Sequence, residues 1–171
     1  MQLQSKLVTL TSVGIDSAPE LVSAYNGDAQ FNIWRDGHPL IDEAAVRADM
    51  LETLSMPGGM VWRIADVTAD MLLGVATTAF VPPPHNAWIA LLIIDQPRQR
   101  QGWGTAAADL LERYLFTPPE ITHVGLALQA QNVGALRFWE GRGYASGLRR
   151  KEFGNEIVTL RLARRAETTA P

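Results

Sequence analysis

The chain has 171 residues, of which 47% are hydrophobic and 19% charged. That fits a single globular domain over 1–171 and excludes wholesale disorder. It contains no cysteine, which excludes disulfides and thiolate metal sites and suits a cytoplasmic protein; a net charge of −3 sets aside a general nucleic-acid binder. The opening MQLQSKLVTL lacks a secretory apolar core, and no run approaches the roughly 18 apolar residues of a membrane span.

Ser17, Glu20 and Gly27 predict a first helix, with a capping box at its start and a glycine stop at its end. Asp42 opens a second helix in which Val46, Met50 and Leu54 share a face, and Pro57, Gly58 and Gly59 close it. Val61–Asp66 and Leu72–Phe80 then read as an antiparallel hairpin. Pro82, Pro83 and Pro84 make a stiff loop before AWIALLIID, Ala87–Asp95, an apolar run bounded by turn residues that predicts a central strand.

A helix follows over Trp103–Phe116, with Ala106, Ala107, Leu110, Leu111 and Tyr114 on one side and Pro118 and Pro119 as its stop. Ile121–Leu128 alternates as a strand, Asn132–Glu140 is a short helix closed near Gly143, and Tyr144–Lys151 and Glu156–Leu162 are two further strands. This order predicts a mixed α/β domain with one right-handed crossover at its centre. The cations Arg149, Arg150, Lys151, Arg161, Arg164 and Arg165 suit a solvated strand edge, and residues 166–171 a frayed tail.

Chemistry concentrates in the segment Gln99-Arg100-Gln101-Gly102-Trp103-Gly104-Thr105. Its two glycines leave backbone N–H groups unshielded, and the helix behind them adds unpaired N–H groups and a partial positive charge. Together these suit a pyrophosphate, the helix term contributing about 0.3–1 kcal/mol when exposed and up to about 2 kcal/mol when partly buried. Arg98 and Arg100 add charge; the glycines alone would equally permit a tight turn. Gly102, Gly104 and Ala107 also match G-x-G-x-x-A, but a dinucleotide fold needs its first glycine directly after the strand and an acid about 20 residues on. Here six residues separate Asp95 from Gly102, and ITHVGLALQAQN ends without an acid. No Walker loop and no G-x-S-x-G motif occurs.

Gln99-x-x-Gly102-x-Gly104 resembles the [QR]-x-x-G-x-[GA] pyrophosphate loop of the GNAT acetyltransferase superfamily. Asn132-x-x-Ala135-x-x-Phe138-Trp139-x-x-x-Gly143-Tyr144 is similar to the second half of that signature, and the two stand in register over Leu92–Tyr144. The resemblance implies a mostly antiparallel α/β sheet with a central splayed parallel strand pair and flanking helices. It implies acetyl-CoA as co-substrate, a small-molecule or peptide amine as acceptor, no metal, and compatibility with a homodimer. Backbone groups of Leu92, Ile93 and Ile94 would pair with the pantetheine arm, the Ile94 N–H acting catalytically on the thioester oxygen. Gln99, Arg100, Gln101, Gly102, Trp103, Gly104 and Thr105 would hold the pyrophosphate. Asn132 would hydrogen-bond the arm, with Ala135, Phe138 and Trp139 along the cofactor wall.

Trp139 departs from the pattern, because the family usually carries a tyrosine there that protonates the leaving thiolate. Indole N–H is a donor only, and Tyr144 reads either as a substitute or as a core aromatic. This keeps a non-catalytic acetyl-CoA-binding sensor or scaffold as the alternative. The general base stays open among His85, Asp95 and ordered water; His38 and His123 are isolated. By the same resemblance, Phe31, Trp34, Asp36, Asp42 and Glu43 fall where the amine pocket is shaped, though acids at a helix start also simply cap it.

Overall fold

A computed structural model describes residues 1–81, 86–152 and 154–164. Pro82–Pro84, His85, Arg165 and the tail 166–171 lie outside these described residues, and with them the stiff loop, one candidate base and the frayed end. Two strands precede the first expected helix: β1 (Gln2–Gln4) and β2 (Val8–Val13). Neither is long enough to declare itself locally, and β2 is completed by pairing with a strand far along the chain.

The expected first helix forms between Ser17 and Gly27, and a second, unexpected helix follows it. A single tight turn at Ile15–Ser17 leads into α1 (Ala18–Tyr25), and α2 (Ala29–Asp36) follows. The Ser17 side chain caps nothing, and the Glu20 carboxylate, instead of closing a capping box, accepts from Arg63. Pro19 in the first turn sets the helical φ that a cap would otherwise have helped to fix. In α2 the Asp28 carboxylate accepts the Phe31 N–H at 3.0 Å, and Gly37 at φ +83 ends the helix. Then come α3 (Glu43–Ser55), β3 (Met60–Asp66), β4 (Leu72–Val81), β5 (Asn86–Ile94), α4 (Trp103–Leu115), β6 (His123–Gln129), α5 (Val133–Gly141), β7 (Ala145–Glu152) and β8 (Asn155–Ala163).

The eight strands form one sheet in the order β1-β2-β3-β4-β5-β6-β8-β7. Every neighbouring pair is antiparallel except β5–β6, which α4 connects as a crossover. Helices cover both faces. On one, Ala107, Leu110, Leu111 and Leu115 of α4 pack with Trp62, Ile64, Ile89, Val124 and Leu160. On the other, Leu21 and Tyr25 of α1 and Val46 and Met50 of α3 pack with Val61, Val75, Leu91 and Ile93.

β5 switches faces partway. Thr77 pairs with Leu91 but Thr78 pairs with Ile89, so Ala90 is an extra residue, a β-bulge. Ala87 and Ile89 therefore face the α4 side, whereas Leu91 and Ile93 face the α1/α3 side and Leu92 and Ile94 return to the α4 side. At the sheet edge all eight residues of β7 are exposed, and Arg149 and Arg150 pair with Glu156 and Glu152, which suits a charged, solvated edge. Arg164 behaves differently. It donates to the carbonyls of Ile121, Phe116 and Pro118 at 2.8, 2.6 and 2.6 Å, tying the end of β8 to the C-terminus of α4. Among the described residues, no helix is long and apolar enough to cross a membrane, and no group of three His, Asp or Glu could hold a metal ion.

Leu111 is fully buried, whereas Leu51 is 56% exposed. Leu111→Ala should cost about 2–5 kcal/mol of unfolding free energy and Leu51→Ala about 0.5 kcal/mol or less, measured by urea titration. All three tyrosines have raised pKa values: burial pushes each up, the Asp49 carboxylate adding to the effect at Tyr25 and that of Glu112 at Tyr144. Each therefore keeps its proton in the folded chain where the unfolded chain ionises. The stability this gives is whole below about pH 10 and is lost above it. Unfolding free energy should fall by up to about 1.4 kcal/mol per pH unit for each of the buried Tyr25 and Tyr144 above about pH 10, and by less for the more exposed Tyr114. Tyr25→Phe should flatten that slope; an unchanged slope would contradict the assignment.

Candidate active site

The parallel pair β5–β6 is short: only Asn86–Trp88 lie beside His123–Gly125. Beyond Trp88 the two strands part, and a cleft of about 470 Å³ opens between them. Its walls are Leu92, Ile93 and Ile94 on β5 and Asn132, Ala135, Phe138 and Trp139 around α5. Gln99, Arg100, Gly102, Gly104 and Thr105 close one end, and Asp28 and Phe31 stand at its mouth.

The register of β4 and β5 decides which backbone groups face this space. The Asp95 N–H donates to the Leu73 carbonyl at 2.9 Å, so the hydrogen-bonded pairs of the antiparallel ladder are 73 with 95, 75 with 93 and 77 with 91. Leu92 and Ile94 occupy the alternate positions, and their N–H and C=O groups point away from β4, toward the space β6 has left. Ile93 lines the cleft with its polar backbone turned to β4. The Ile94 carbonyl is satisfied by Gln99 Nε2 at 2.9 Å, which leaves the N–H of that residue as the donor facing the cleft.

Gln99 serves the loop as a latch. The same Nε2 also donates to Asp28 at 3.0 Å, joining the end of β5 to the start of α2. The Gln96 N–H adds a 2.7 Å bond to the Gly27 carbonyl. Arg100 and Gly102 both adopt positive φ, +61 and +89, and this turns the chain sharply into α4. No side chain caps α4, and among the described residues the N–H groups of Trp103, Gly104 and Thr105 donate to nothing. A Cβ at Gly104 would stand 3.6 Å from Ile94 and 4.0 Å from Phe138, so this glycine keeps the gap between β5 and α5 clear.

Of the fourteen residues expected at a cofactor site, twelve line the cleft and two do not. Gln101 reaches back to the Pro97 carbonyl at 3.1 Å, and the Trp103 ring packs against the core, so only their backbone groups stand near the loop. Asn132 is the N-cap of α5: its Oδ1 accepts the Ala135 N–H at 3.0 Å, and its Nδ2 remains the group available to the cleft. Trp139 is 6% exposed and lies edge-on to Phe138 and Tyr144, with ring centroids 4.9 and 5.0 Å apart. Tyr144 is a core aromatic, 3% exposed, and does not line the cleft.

Asp95 pairs with Arg98 at 3.6 Å in the turn and is not among the lining residues. Asp42 caps α3, Glu43 pairs with Arg47 and Asp36 with Arg35, so of the residues expected near an acceptor only Phe31 lines the cleft. Asp28 is the acid that does, and it was not expected. Its signal is an Asx cap three residues before Phe31 with Gly37 beyond, an eight-residue helix too short to show periodicity. A larger hollow of about 900 Å³ lies between α4, α5 and the end of β8, but it is a structural seam. Arg142 there is bonded to Asp109 at 2.7 Å and Glu112 at 2.6 Å, and Arg164 to backbone carbonyls.

The family model for the acetyltransferase (GNAT) family matches residues 26–144. No curated protein matches the chain in sequence. Among solved structures, a GNAT-family acetyltransferase from Bacillus anthracis superposes with a TM-score of 0.76 at 13% identity, over 95% of this chain and 98% of its own. An acetyltransferase from Thermus thermophilus gives 0.75 at 18% identity, over 95% and 99%. The structure of AAC(6')-Ib in complex with paromomycin and acetyl-CoA gives 0.76 at 18%, again over 95% and 99%. At these identities the likeness is one of fold.

Gly102 supports the loop through its backbone alone, since the nearest atom to a Cβ there is a Leu7 methyl at 3.8 Å. Gly102→Ala should therefore destabilise the chain by about 1–2 kcal/mol through its positive φ and not through a clash, measured by chemical denaturation.

Proposed function

The chain belongs to the GNAT acetyltransferase family, and on that premise we propose that it moves the acetyl group of acetyl-CoA to a primary amine by direct attack in a ternary complex. The observation that carries this reading is the outward-facing backbone of Leu92 and Ile94 beside a loop of unpaired N–H groups. AAC(6')-Ib, which shares the fold, is known in complex with acetyl-CoA, and this supports the cofactor.

The residues present fit such a co-substrate. The Trp103, Gly104 and Thr105 N–H groups, at the positive end of α4 and beside Arg100, suit a pyrophosphate. The cleared gap over Gly104 lets a slender chain run from there along β5. Leu92 and Ile94 offer that chain the amide partners a sheet neighbour would have given, and Asn132 Nδ2 faces them from α5.

Acetyl-CoA supplies an acetyl group on a thioester whose thiol, with a pKa of about 8.5, leaves readily as thiolate. With acetyl-CoA bound, the Ile94 N–H, fixed by the β4 ladder and by Gln99, would donate to the thioester oxygen as negative charge grows there. Removing such a preorganised donor typically costs about 10²–10³ in rate. The acceptor would first have to shed a proton to water, since an alkylamine is only about one part in 10³ neutral at pH 7. Trp139 supplies no acid, and the buried Tyr144 hydroxyl, its pKa raised, does not replace one. Neither side chain would therefore protonate the leaving thiolate.

Trp139 in the tyrosine position also favours a second reading, a domain that binds acetyl-CoA as a sensor or scaffold. Steady consumption of acetyl-CoA with any member of a broad amine panel dismisses it; none with the whole panel would favour it.

Acetyl-CoA at about 100 times its dissociation constant should add roughly 2.7 kcal/mol and raise the melting temperature by about 5–11 °C, whereas a nicotinamide dinucleotide should not. Gly104→Glu should abolish that shift while the ligand-free protein stays folded, because the new side chain fills the gap between Ile94 and Phe138 and sets a negative charge beside the phosphates. A folded variant with unchanged affinity would remove the loop from the site.

A further inference from the structure

We infer that the acceptor reaches the cleft through a closed window on the α2 side of the sheet, and that this window admits small free amines and excludes lysines carried on folded proteins. This rests on the acetyl-transfer reading above and adds to it the class of acceptor. The cleft passes through the sheet. Leu92, Ile94 and Phe138 line it from the core on the α4 side, whereas Ile93 and Phe31 line it from the core on the α1/α3 side. The uncapped start of α4 and the gap kept clear at Gly104 belong to the α4 side, so a co-substrate held there fills that entrance. The second substrate of a ternary complex is left with the other.

That second opening is ringed by paired or bonded residues. β5 and β6 part at Trp88 and Gly125, which make one corner. Beyond the far end of β5, the Gln96 N–H donates to the Gly27 carbonyl at 2.7 Å and Gln99 Nε2 to Asp28 at 3.0 Å, tying the strand end to the start of α2. Toward the other end of α2, the Trp34 carbonyl accepts from Nδ2 of Asn155, the first residue of β8, at 3.2 Å. From there Ile157 pairs with Gln129, and β8 and β6 run side by side back to Gly125. α2 therefore spans the place that β6 has left, and turns an open notch in the sheet into a window.

Dimensions decide what passes. Between its tie points at Asp28 and Trp34 the α2 segment is only about 9 Å long, and a helix with its side chains is about 10–12 Å across. The window is thus narrower than a helix and about as deep as one. A lysine ammonium stands about 6 Å from its own Cα, so on a folded surface resting against α2 it stops short of the cleft. An alkyl chain about 4 Å across, the contact distance between carbon atoms, goes through. Ala127 helps to keep the way open. It is exposed and alternates with the buried Leu126 and Leu128 of the α4-side core, so it presents only a methyl to the window side.

With acetyl-CoA saturating, the wild type should acetylate 1,5-diaminopentane or tyramine at least about tenfold faster than the lysines of folded lysozyme at equal ammonium concentration, followed by mass spectrometry. A smaller ratio, or transfer to lysozyme alone, overturns the inference. The chain has no cysteine, so a pair introduced by Ile33→Cys and Asn155→Cys can be joined selectively with a bismaleimide, which makes the ring covalent; Ile33 is 43% exposed. Transfer to the small amine should stay within about threefold of the same variant before joining, since a window that is already closed loses nothing by being locked. A larger fall means that α2 swings away to admit the acceptor, and it too overturns the inference. Should the pair variant fail to fold, the lysozyme comparison in the wild type decides by itself. No melting shift with acetyl-CoA, or no transfer to any of the three, would instead remove the underlying acetyl-transfer reading, and the inference with it.

Discussion

The backbone of β5 between Leu92 and Ile94 is half inside a sheet and half outside it, and the rest of the site depends on that. A strand of a sheet ordinarily satisfies its N–H and C=O groups on both sides. Here the β4 side is complete and the β6 side ends at Trp88 and Gly125. The bulge at Ala90 lies between the paired and the parted portions. A bulge bends its strand and increases local twist, which is what carries β5 away from a neighbour anchored to β8 along its whole length. The result is a slot with polar backbone on one wall and α5 on the other.

That slot stays ordered through interactions at its rim. Gln99 bonds the Ile94 carbonyl and the Asp28 carboxylate with one nitrogen, joining the strand end, the loop and α2. Behind α2, the buried Asn32 amide donates to the carbonyl of Tyr25, the side-chain oxygen of Asn26 and the carbonyl of Pro39. Asn26 in turn bonds both the N–H and the carbonyl of Ile41. These bonds join α2 to the end of α1 and to the segment before α3, although the buried Asn32 Oδ1 itself meets no donor among the described residues. The far side is braced by Arg142, which ties α5 to α4 through Asp109 and Glu112.

The aromatic stack Phe138–Trp139–Tyr144 shows how one position serves packing and chemistry together. Phe138 faces the cleft, Trp139 fills the space beneath it, and Tyr144 closes the core. An indole gives more buried area than a phenol at the same position but no dissociable proton at neutral pH. In this chain the position has gone to packing.

The sequence by itself determined the central strand, the glycine loop, the helices α3, α4 and α5, and most of the cleft lining. These depend on local features: apolar runs bounded by turn residues, helical periodicity, and a loop whose glycines mark where backbone must be bare. It did not determine β1 and β2, which are short and acquire their pairing from β3, nor the short helix α2 that follows the expected first helix α1. Glu20 looked like half of a capping box because Ser17 stands three residues before it, but Arg63, distant in sequence and adjacent in space, takes its carboxylate. For the same reason the acid at the cleft was legible only in three dimensions. Asp36, Asp42, Glu43 and Asp28 are equivalent as letters, and what separates them is which partner each meets once the sheet has brought residue 99 beside residue 28. Spacing along the chain fixes where a backbone is free to bind; the folded neighbourhood decides which side chains stand beside it.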